Sequence, residues 1–97
     1  MTEKIENQTL QATFELVDTL TQGIFERFEG ALIKDKAEGA GVKTLYGKYL
    51  RAAIKVGWVI SPKYTDEEIA ALDPRIVALI GKKLVAEYNE AAIIPNA

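Results

Sequence analysis

The sequence predicts an α+β domain that is mainly α: an N-terminal strand or hairpin, then a bundle of three main helices and one short helix. Three observations carry this. Apolar residues alternate at period two between residues 10 and 17, then recur at three- and four-residue spacing. Gly39-Ala40-Gly41 and Gly57 break the helical pattern where helices should stop. Thr65 and Asp73 stand where two more should start. The 97 residues are read as one domain, 1–97, with residues 1–8 and 93–97 as loosely ordered termini.

The elements follow in order. Leu10, Ala12, Phe14 and Leu16 alternate with Gln11, Thr13, Glu15 and Val17, the signature of a half-buried strand. Residues 4–6 could pair with it across Asn7-Gln8 as a hairpin. A helical stripe through Leu10, Phe14 and Val17 is the rival, and the Thr content favours the strand. One strand or hairpin leaves an open edge, to be covered by a helix or by a second copy of the chain. The first helix has two candidate caps. Thr19 with Gln22 has capping-box spacing, and Thr21 has Leu20 and Phe25 placed as a hydrophobic staple. Ile24, Phe25, Phe28, Ala31 and Leu32 share one face of it, and it runs to about Glu38. The second helix is expected over residues 42–56, with Leu45, Tyr46, Tyr49, Leu50, Ala53 and Ile54 inward. Lys43, Lys48, Arg51 and Lys55 form its solvated side, and Gly57 is its C-terminal cap.

Trp58, Val59 and Ile60 cross the core before Ser61-Pro62 forces an extended or turning chain. Thr65-Asp66-Glu67-Glu68 fits a capping box, and its acidic residues complement the helix dipole. That helix is short, with Ile69 and Leu72 inward. Asp73-Pro74 starts the last helix, Pro74 losing no needed donor at the first position. Val77, Ile80, Leu84 and Tyr88 form its stripe. Gly81 sits mid-helix, which points to a bend or to close approach of another helix.

Composition bounds the function. The net charge of -2 gives no electrostatic footprint for nucleic acid or an anionic membrane. No apolar run approaches ~18 residues, so no segment is expected to span a membrane. The chain has no Cys and no His, which removes thiol chemistry and the commonest general base and metal ligand. Ser61 is the only serine and has no conventional activating base. Gly39, Gly41 and Gly47 lack phosphate-loop spacing. No catalytic, cofactor-binding or metal residue is assigned, and the chain is read as non-enzymatic. Its positive feature is a surplus of large apolar residues. Phe25, Phe28, Trp58, Ile80, Ile93 and Ile94 are the candidate protein-binding positions, and Tyr46, Tyr64, Ile76, Leu79 and Val85 add to the surplus. A helical core that absorbs them is the equal alternative.

A resemblance then enters. Phe14-Glu15-Leu16-Val17-Asp18-Thr19-Leu20-Thr21 joins a strand to a polar helix start. Tyr49-Leu50-Arg51-Ala52-Ala53-Ile54 leads to Gly57-Trp58 and Ser61-Pro62, followed by Leu72-Asp73-Pro74-Arg75-Ile76-Val77 and Ile94-Pro95-Asn96. Over residues 10–96 this resembles small tail-region proteins of bacteriophages and prophages, the group that includes tail assembly chaperones. The resemblance implies a protein-binding role in tail assembly, with a tape-measure protein or tail-tube subunit as partner, or self-association. It implies the host bacterial cytoplasm as the location, or the virion for a structural component such as a head–tail connector subunit. A small DNA-binding regulator is a further alternative, with the short helix and the Pro74 helix as a helix-turn-helix and Arg75, Lys82 and Lys83 as contacts. The Glu-rich helix start weighs against it.

Overall fold

The computed structural model describes residues 2–38 and 44–92, the side chains of 35–38 excepted. It is α+β and mainly helical. The elements are β1 (Thr2–Asn7), β2 (Ala12–Val17), α1 (Gln22–Glu38), α2 (Leu45–Lys55), β3 (Val59–Ser61), α3 (Asp66–Ala71) and α4 (Pro74–Ala92). The strands form one antiparallel sheet in the order β1-β2-β3.

The N-terminal hairpin is full length, with Thr2 opposite Val17 and Asn7 opposite Ala12. The expectation of a loosely ordered start is therefore corrected: residues 2–7 are a paired strand. The Asn7 side chain accepts from the Leu10 N–H at 3.0 Å, and the Gln11 N–H donates to the Gln8 carbonyl. Gln11 closes the turn at φ 52°, a left-handed conformation that costs a residue with a Cβ. Ala12, Phe14 and Leu16 are buried, as the alternation requires.

The third strand was not read from the sequence, because three residues are too short to show a period. It is set by the end of α2. The Trp58 N–H donates to the Ala53 carbonyl at 2.9 Å and the Gly57 N–H to the Ile54 carbonyl at 3.2 Å, a Schellman motif with Gly57 at φ 81°. The turn delivers Trp58 to the core and lays Val59 beside Leu16. Ile60 is the extra residue of a bulge between the Leu16–Val59 and Glu15–Ser61 pairs.

Each helix start has a visible cause. Thr21 caps α1, its hydroxyl accepting from the Ile24 N–H at 3.3 Å, so the Thr19 alternative is set aside. α2 begins later than expected, at Leu45, because the Thr44 hydroxyl accepts from the Gly47 N–H at 3.0 Å. Residues 42 and 43 lie outside the described residues. The Thr65/Glu68 capping box is present in both directions. Asp73 accepts from the Arg75 N–H at 2.9 Å at the head of α4.

α2 is the hub, touching α1, α3, α4 and β3. The core is one cluster, built around Trp58, Phe14, Phe28, Leu16, Leu50, Ile80, Leu84 and Val59. Phe28 meets Trp58 edge to face at 5.0 Å between ring centroids. Gly81 lets α4 lie directly on α2: a Cβ there would stand 2.3 Å from the Tyr46 Cβ. Among the described residues no helix is long and apolar enough to cross a membrane.

Candidate functional site

The concave feature of interest is a groove where α2, α3 and α4 meet, with a cavity volume of about 470 Å³ and one side open to solvent. Its walls come from each helix in turn: Tyr46, Gly47 and Arg51 of α2, with the cap Thr44; Ile69, Ala70 and Leu72 at α3; Pro74, Val77 and Ala78 of α4. The chain bends from α3 into α4 at Leu72, which leaves Ile69 and Val77 facing the side of α2 across the gap. The walls are mostly apolar.

Arg51 is the one charged side chain in that lining. Only 17% of it is exposed, against 80% of its neighbour Asp66. The Nε atom lies 3.3 Å from the Asp66 Oδ1, yet it is buried and makes no hydrogen bond of acceptable geometry. The carboxylate sits off the N–H direction, so the contact is an ion pair that leaves the Nε–H without an aligned acceptor. Gly47, one turn earlier, makes room for the guanidinium: a Cβ there would stand 2.9 Å from the Arg51 Nη1. Arg51 thus departs from the solvated face expected for it. Gly47 at i−4 to Arg51, on a helix face otherwise large and apolar, was the available sequence signal.

The expected protein-binding residues are placed elsewhere. Phe28, Trp58 and Ile80 are buried in the core and offer no surface in this fold. Burial is what their helical and cap-adjacent positions give once α2 packs on both α1 and α4. Phe25 is half-buried and stacks on Tyr88 with centroids 5.2 Å apart. Ile93 and Ile94 lie outside the described residues. Tyr46, Tyr64, Ile76 and Leu79 pack against the core, so the fold absorbs most of the apolar surplus. Among the described residues, the large apolar side chains left exposed are Ile33 at 67% and Leu45 at 56%.

A second surface feature is aromatic. Tyr49 and Tyr88 meet edge to face at 5.6 Å and both touch Phe28. Desolvation raises the pKa of both phenols, so they stay neutral near pH 7. Tyr46 and Tyr49 do not form an exposed pair, since Tyr46 packs on Gly81 and Tyr49 on Phe28. Among the described residues no group of three or more Asp or Glu side chains is placed to hold a metal ion. Comparisons with known protein families, curated proteins and solved structures find no match to this chain.

Proposed function

We propose that this chain is a non-enzymatic, protein-binding factor in phage or prophage tail assembly, acting in the host bacterial cytoplasm. The observation that carries the reading is the open apolar groove between α2, α3 and α4, a concave face suited to another chain's apolar side chains. The tail-region resemblance over residues 10–96 supplies the biological setting. A tape-measure protein or tail-tube subunit is the partner, and self-association is the alternative occupant of the same surfaces.

The competing regulator reading has less support. Two of its three proposed contacts already hold carboxylates, Arg75 with Asp73 at 2.7 Å and Lys83 with Glu87 at 2.7 Å and Glu3 at 3.3 Å. Those contacts must be given up before either cation meets a phosphate.

Fractionation of assembling particles tests the proposal. The chain is expected in early fractions with a tail structural protein and to be missing from mature particles. Stoichiometric presence in mature particles would replace it with a structural role, such as a head–tail connector subunit. Retention on DNA that weakens with salt would replace it with the regulator.

A further inference from the structure

We propose that β1 is the interface of a two-fold dimer: its open edge pairs antiparallel with β1 of a second copy, and the two three-stranded sheets join into one. This surface shares no residue with the α2–α3–α4 groove and stands whether or not that groove binds a tail protein. The sheet has two edges, and they differ. β3 is three residues long and bulged, a form in which an edge is blunted against further pairing. β1 has six residues, no proline and no shift of register along β2. Among the described residues β2 is its only strand neighbour.

Backbone geometry fixes which groups face outward. In an antiparallel ladder the N–H and C=O of one residue leave the same side of the strand, and those of the next residue leave the other. The Val17 N–H donates to the Trp58 carbonyl, so Val17, Glu15 and Thr13 turn their amides to the β3 side. Phe14 and Leu16 turn theirs to β1, where Ile5 and Glu3 stand opposite. The amides of Thr2, Lys4 and Glu6 therefore point off the open edge.

Charge then selects the register. Hydrogen bonds with a copy can form only between outward residues, so Thr2, Lys4 and Glu6 must meet members of the same set. Lys4 opposite Lys4 places two ammonium groups at the axis. Thr2 opposite Lys4 brings Glu3 against Glu3, and Glu6 opposite Glu6 is a further like-charge pair. Like charges directly opposite are unfavourable. Lys4 opposite Glu6 avoids all three. It repeats on both sides of the axis, and each pair exchanges both backbone hydrogen bonds. Ile5, half-buried in one chain, meets Ile5 of the copy across the axis at the closer spacing of a non-hydrogen-bonded pair. Glu3, held by Lys83 at 3.3 Å, falls opposite the neutral Asn7.

The test is sedimentation of the full-length chain over a concentration series, with amide hydrogen exchange read in parallel. A reversible dimer is expected. The Lys4 and Glu6 amides should gain protection as the dimer fills and the Thr2 amide should not, while Glu3 and Ile5 are protected at every concentration. Glu6→Lys faces the neutral Thr13 within its own sheet, so it disturbs no ion pair there. It sets a cation against Lys4 of the copy and should weaken dimerisation by about tenfold or more. Lys4→Glu should separate the copies in the same way. Mixed together, the two variants are complementary at both pairs and should form a heterodimer. A monomer at every concentration overturns the proposal. So does protection of Lys4 and Glu6 in the monomer, the mark of an edge covered within one chain. A dimer indifferent to Glu6→Lys uses another surface and overturns it as well.

Discussion

Gly81 shows how one absent side chain fixes a helix pair. Alanine normally gains up to ~1 kcal/mol over glycine inside a helix. Here its Cβ would enter the space of the Tyr46 Cβ and ring, at 2.3–2.9 Å. Gly81→Ala is therefore expected to destabilise by about 1–3 kcal/mol in urea unfolding, and Tyr46→Ala in the same chain should not restore the loss, since alanine keeps the Cβ that lies closest. Gly57 is the opposite case. A Cβ there has open space, so Gly57→Ala should cost about 1 kcal/mol through its positive φ alone. Asp73 gives a pH signature. Its hydrogen bond with the Arg75 side chain, then that with the Arg75 N–H, lowers its pKa to about 2. A lowered carboxylate pKa stabilises the fold fully above the ordinary value of ~3.9. That contribution fades as pH falls from there through about 2. The Arg75 and Ile76 amide shifts should report this titration, and Asp73→Asn should erase it.

Among the elements, β1 pairs along its length with β2 and is tied to α4 by an ion pair. Lys83 bridges Glu3 of the strand and Glu87 of its own helix, and its pKa is raised chiefly by the Glu87 hydrogen bond. Lys83→Met should speed amide exchange across residues 2–7 and leave α2 unchanged, for at most about 1 kcal/mol of stability. α3 depends on its cap, and Thr65→Ala should cost about 1 kcal/mol. Most of this was legible in the sequence. The Thr65 box, the Asp73-Pro74 start, the Gly57 stop and the alternation up to Val17 each follow from local chemistry and stand in the structure, although the strand starts at Ala12 and Leu10 and Gln11 fall in the turn. Two features stayed hidden. β3 is a strand only because β2 lies beside it, and the late start of α2 rests on a local cap, Thr44, which competes with the apolar pattern around it.

For the whole molecule, the candidate site was the least legible part. In the sequence, the surplus of large apolar residues fits a partner surface and a well-filled core equally. The fold wraps α2 in α1, α3, α4 and β3, and this hub consumes Phe28, Trp58 and Ile80. The concave face arises from three helices separated in sequence, and no single window of the chain contains it. Arg51 reads as one more solvated cation until α3 folds over it. We propose that this surface serves another protein during tail assembly. The most direct measurement is capture by the tagged chain from lysate of its source, read by mass spectrometry against an unrelated bait. Recovery of a long tape-measure-like or tail-tube protein is expected. Recovery of neither, or of DNA-associated proteins alone, would contradict it.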